Sequence, residues 1–125
     1  MDINQLSSIV IGAAIEVHRE LGPGLLENAY EHALAHELGL CNKGFERQKL
    51  LPVFYKGHPL PDAYRMDFLV EDAIVVELKA VDSLLPIHEA QLLTYLKLSE
   101  KKLGLLINFN VPALKDGIRR IANRL

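Results

Sequence analysis

Two short apolar runs, Tyr64–Val70 and Ile74–Val81, are separated only by Glu71-Asp72-Ala73, which is close enough for a hairpin. In the second run Ile74, Val76, Leu78 and Ala80 share one face, and Val75, Glu77, Lys79 and Val81 share the other. In the first, Tyr64, Met66, Phe68 and Val70 alternate with Arg65, Asp67 and Leu69. A two-residue turn would pair Phe68 with Val75 and mix the faces. A three-residue turn pairs Val70 with Ile74, Phe68 with Val76 and Met66 with Leu78, all apolar. A one-residue slip sends each apolar set to the wrong side, so this second register is predicted.

That register sets Asp67 across from Glu77, with β-carbons about 4.5–5.5 Å apart. Two carboxylates that close repel unless a proton or a cation joins them. A hard divalent ion such as Mg²⁺ (or Mn²⁺) is the usual solution, held by one or two carboxylates plus waters and phosphate oxygens. Lys79 follows on the same face, about 7 Å along the strand. Carboxylates, metal and lysine together suit phosphodiester hydrolysis. An isolated E-x-K in a strand is more often a solvated pair. Here the flanking Val75 and Val81 argue that the face is covered.

The rest of the chain reads as α-α-β-β-β-α-β-α. Ile3–Leu21 has helical spacing and stops at Gly22-Pro23-Gly24. A second helix is predicted over Leu25–Leu38 with Gly39 as its cap, and an edge strand containing Pro52 over Lys49–Lys56. A turn follows at Gly57–Pro61. Pro86 opens a helix to about Ser99, Leu103–Phe109 reads as a strand covered on both faces, and a last helix is predicted over Pro112–Leu125. The expected architecture is one α/β domain over residues 1–125, with a mixed four-stranded sheet and flanking helices. Gln91 and Tyr95 lie four apart on the third helix, and Glu27 flanks the apolar stripe of the second.

Gly24-Leu25-Leu26-Glu27-Asn28-Ala29-Tyr30 resembles the signature of the GxxExxY proteins, which are placed in the PD-(D/E)XK nuclease superfamily. The likeness runs on through Asp67, Glu77-Leu78-Lys79 and the Gln91/Tyr95 helix, which looks like the Q-x-x-x-Y helix of RecB-type nucleases. Met66 stands where the superfamily's literal motif has proline. The resemblance implies a restriction-endonuclease-like α-β-β-β-α-β core and a metal-dependent nuclease. It implies that Asp67 and Glu77 are metal ligands, Lys79 the catalytic lysine and Glu27 an acidic residue near the metal. Gln91 and Tyr95 would orient the substrate.

A net charge of −2 is low for a protein that grips phosphate over a broad surface. This balance, with the small size, favours the competing reading of a non-catalytic module that keeps the fold and binds nucleic acid or an enzyme acting on it. Nucleic acid, DNA more than RNA, is the expected partner, and a homodimer is an open expectation. Arg65 is the nearest basic candidate for substrate; Arg119, Arg120 and Arg124 either grip backbone or complement the last helix. His32 and His36 have the spacing of a zinc pair without an evident third ligand. His88 with Gln91 and Tyr95 could instead line a small-ligand pocket. The lone Cys41 excludes an intrachain disulfide. With no basic, apolar leader or run of roughly 20 apolar residues, a cytoplasmic protein off the membrane is expected.

Overall fold

The helical spacing at the N-terminus is realised as α1 (Ile3–Leu21). Its Asp2 cap accepts from the Gln5 amide at 2.8 Å, while the Gln5 side chain accepts from the Asp2 amide at 3.0 Å. The computed structural model describes residues 1–125, the side chains of Asp62 and Ala63 excepted. After α1 come α2 (Glu27–Leu40), β1 (Phe45–Tyr55), β2 (His58–Val70), β3 (Ile74–Lys79), α3 (Pro86–Ser99), β4 (Leu103–Asn108) and β5 (Ile118–Ala122). The strands form one mixed sheet in the order β1-β2-β3-β4-β5. β3 and β4 are parallel through the α3 crossover, and the other neighbours are antiparallel. The membership of two apolar clusters divides the helices between the two faces. Residues of α1 and α2 pack with Phe68, Val76, Leu78, Leu105 and Ile107, while those of α3 pack with Met66, Leu69, Val75 and Leu106.

Several boundaries differ from expectation. α2 begins and ends two residues later, so Gly39 is inside it and Cys41 is the cap. The hairpin joining β1 and β2 needs only Lys56-Gly57, at φ 49° and 78°. Both being positive makes a type I′ turn, whose twist matches the strands. The prolines at 59 and 61 thus sit inside β2, where it has β1 alone as a neighbour. Pro52 falls at the irregularity between Leu51 and Val53 of the edge strand.

The predicted last helix does not form, and the sheet has five strands rather than four. One 3₁₀ turn, Leu114–Gly117, leads into β5, which covers the open edge of β4. The periodicity misleads because Gly117 lies against the β4 end, where a Cβ would come within 2.2 Å of the Asn108 carbonyl. The chain turns back there and satisfies main-chain groups that β4 would otherwise leave bare. Arg119 and Arg120 are therefore strand residues. Arg120 donates to the Asn4 side chain at 2.8 Å, so no helix end exists for them to complement.

The Gly24–Tyr30 segment has a structural logic. Gly24 adopts φ 98°, and buried Tyr30 donates its hydroxyl to the Gly22 carbonyl at 2.6 Å while accepting from the Leu25 amide at 3.2 Å. Its ring stacks on Phe109 at 4.5 Å. The tyrosine thereby ties the loop before α2 to the core and fixes where Glu27, the first residue of α2, stands. Tyr30→Phe is expected to cost about 1–2 kcal/mol, because the partly buried Gly22 carbonyl loses its donor and the Leu25 amide its acceptor. A urea-unfolding midpoint unchanged from that of the native protein would contradict this role.

Candidate active site

The predicted hairpin register is present: Val70 pairs with Ile74 and Phe68 with Val76, around a Glu71–Ala73 turn. The ladder then stops. Asp67 and Glu77 would form the next pair, and there side chains replace main-chain acceptors. The Asp67 amide donates to Glu77 Oε2 at 3.0 Å, and the Leu78 amide donates to Asp67 Oδ2 at 2.8 Å. The expected Met66–Leu78 pair is consequently not made. Met66 packs with the α3 cluster, whereas Phe68 and Leu78 belong to the opposite one. With the amide of Leu78 committed to a carboxylate, the two strands part, and the two acids sit at the point of divergence.

Glu77 is buried, and its pKa is pushed up to about 9. Lost hydration is the largest cause, followed by the Asp67 charge and a carboxyl–carboxylate hydrogen bond with Asp67; Lys79 opposes them. The Glu27 carboxyl is also raised, first by lost hydration, then by Asp67, with Lys79 again opposing and Glu31 adding. Glu27, Asp67, Glu77 and Lys79 thus act on one another across one small space, although they come from α2, β2 and β3.

Tyr95 of α3 joins this group. It is buried and pushed up to about 12, by lost hydration first and then by Glu77, Tyr64 and Asp67. It remains a neutral hydrogen-bond donor through the physiological range. Gln91, one turn earlier, lines a cavity with Tyr95 and Tyr64 beside the acids. Arg65, the expected basic neighbour, is exposed and makes no salt bridge among the described residues; it is Tyr64 that meets Tyr95, with ring centres 5.8 Å apart. His88 accepts from the Leu85 amide at 3.0 Å and closes the start of α3.

Three residues of the site escape sequence reasoning. Gln48, at φ 50° in β1, donates to Asp67 Oδ1 at 3.2 Å and to Glu31 Oε1 at 2.6 Å. Glu31 accepts in turn from Arg47 at 2.8 Å. This chain holds the outer oxygen of Asp67 in place. Glu31 does fall one helical turn after Glu27, and that spacing was the available signal. At the far end of β3, Lys79 is anchored through its backbone. Its carbonyl accepts from the Phe109 amide at 2.9 Å, and the Asn108 side chain brackets Val81 with bonds of 3.1 and 2.9 Å.

The donor set suits a hard divalent cation. Asp67 and Glu77 present two close carboxyl groups with acceptor capacity beyond their amide bonds, and a cation between them would oppose the burial and the Asp67 charge that keep Glu77 protonated. Among the described residues no group of three or more His, Cys, Asp and Glu side chains could hold a metal ion by itself. That applies equally to His32 and His36.

A family model for the PD-(D/E)XK nuclease superfamily matches residues 4–121. The chain belongs to this superfamily. No curated protein and no solved structure matches it. Membership fits the mixed α/β sheet and suggests a nuclease-type function with nucleic acid as substrate. Members of the superfamily generally use divalent metals. No helix of the chain is long and apolar enough to cross a membrane, the residues searched being the described ones.

Proposed function

We propose that this PD-(D/E)XK protein, of the GxxExxY type, is a divalent-metal-dependent nuclease that hydrolyses phosphodiester bonds. The observation that carries the reading is the Asp67–Glu77 pair, set side by side where β2 and β3 part, with buried Glu77 keeping a proton that a cation could displace. Asp67 and Glu77 would hold Mg²⁺ or Mn²⁺, completed by waters and phosphate oxygens, with Glu27 adding negative charge nearby. The ion would supply an activated water and neutralise charge on the phosphoryl oxygens.

The chain's own residues do the rest. Gln48, Glu31 and the Leu78 amide fix the Asp67 carboxylate, so that it need not reorganise on binding. Lys79, whose charge acts on both Glu27 and Glu77, stabilises the oxyanion that develops as the phosphodiester is attacked. Tyr95 keeps its proton and, with Gln91, orients the substrate from the α3 side. All of these come from one chain, so the reading needs no second copy.

The test is cleavage of single- and double-stranded DNA and RNA with Mg²⁺ or Mn²⁺. Lys79→Ala is expected to lower kcat by at least about 10²-fold, the usual cost of one oxyanion-stabilising group. Asp67→Ala should lower it further. Equal residual cleavage by all three proteins would mean that the activity lies elsewhere, and no cleavage beside absent metal binding would favour the interaction module.

A further inference from the structure

The Tyr64–Tyr95 cavity lies beside the acids, and only part of its lining is used in the catalytic reading. Tyr64, Ile87, Ala90, Gln91, Thr94 and Tyr95 line an open cavity of about 260 Å³. That is below the ~300–1,000 Å³ of pockets that take a whole drug-sized ligand, and it suits a single ring system. The two tyrosine rings are tilted by 58° and do not stack, so Tyr95 leaves the Tyr64 face uncovered. Tyr64 is 42 % exposed and Ile87, across the mouth, 66 %. Gln91 adds an amide donor and acceptor, and Thr94 a hydroxyl.

We infer that this cavity receives one unpaired nucleobase adjoining the scissile phosphate, and that the preferred substrate is accordingly single-stranded. The inference rests on the nuclease reading for its phosphate, but its own evidence is the shape and chemistry of the cavity. Tyr95 is shared between the cavity and the acid pair, so whatever enters lies directly beside the reacting centre. Among the described residues that line it, the cavity carries no Lys or Arg to hold a phosphate, and its aromatic and apolar lining suits an uncharged ring. A base in a duplex is stacked on both faces and cannot offer one to Tyr64. An unpaired base can, and base–aromatic stacking is worth about 1–3 kcal/mol. Gln91 and Thr94 face the polar edge of such a base.

The experiment uses the intact chain and a fluorescein-labelled oligothymidylate or oligouridylate, free and in duplex, with binding followed by anisotropy and cleavage in Mg²⁺. The native protein is expected to bind the free strand more tightly than the duplex. Tyr64→Ala should weaken single-strand binding by about 5- to 150-fold, the equivalent of the stacking energy. Tyr64→Phe should restore it. An abasic nucleotide beside the cleaved bond should cost the native protein a similar factor and cost Tyr64→Ala nothing further. Unchanged binding by Tyr64→Ala with cleavage intact overturns the cavity assignment and leaves the nuclease reading standing. Tyr64-dependent single-strand binding with no cleavage of any substrate does the reverse. Preference for duplex overturns the inference outright.

Discussion

In metal-free buffer at pH 7, Glu77→Gln is expected to be more stable than the native protein by roughly 3 kcal/mol, while its cleavage activity is lost. The sign follows from where the proton sits. An unfolded chain releases the Glu77 proton near 4.5, whereas the folded chain keeps it to about 9. Unfolding within that window releases a proton, so stability is full below the unfolded value and falls as pH rises towards the folded one. The slope is at most about 1.4 kcal/mol per pH unit. Glutamine keeps the acceptor for the Asp67 amide and carries no charge to desolvate, so the decline should vanish in the variant. The check is a series of urea unfolding curves in EDTA between about pH 5 and 9. A native protein whose midpoint does not move with pH relative to Glu77→Gln would show that the acid pair is not strained.

Gly117→Ala is expected to cost at least about 3 kcal/mol, at or beyond the usual range for overpacking. The added Cβ would stand 2.2 Å from the Asn108 carbonyl and 3.1 Å from Val111. The first is backbone, which cannot rotate aside, and Asn108 is the residue that brackets Val81 beyond Lys79. Activity should therefore fall along with stability. Gly12→Ala is the control: nothing lies within 4 Å of its Cβ position on α1, and a gain of about 0.5–1 kcal/mol is expected there. Similar urea midpoints for the two variants would refute the close approach.

The contrast between these glycines indicates what a sequence can and cannot disclose. Alternation from Tyr64 to Val81 was enough to place Asp67 against Glu77, since only one register keeps Phe68, Val70, Ile74 and Val76 on a common apolar face. Of the residues named by the resemblance, Glu27, Lys79 and Tyr95 lie close enough to that pair to act on it electrostatically, while Gln91 lines the cavity beside Tyr95. Alternation failed at Met66, because carboxylates displaced main-chain acceptors and the strands separated. It failed again after Pro112, where an open sheet edge and a carbonyl pressed against Gly117 outweigh helical spacing. Gln48 was illegible for a different reason. Its part depends on a left-handed backbone within a strand, which no pattern of side chains announces.

The claim beneath all of this is that Asp67 and Glu77 share a cation that displaces the proton of Glu77. Titrating Mn²⁺ calorimetrically into the protein at pH 7, in buffers of different ionisation enthalpy, measures ion binding and proton release together. The native protein is expected to bind the ion and release about one proton for each ion bound, and Glu77→Gln to release none and bind far more weakly. Binding that is undiminished in Glu77→Gln, or no binding by the native protein, would contradict the account.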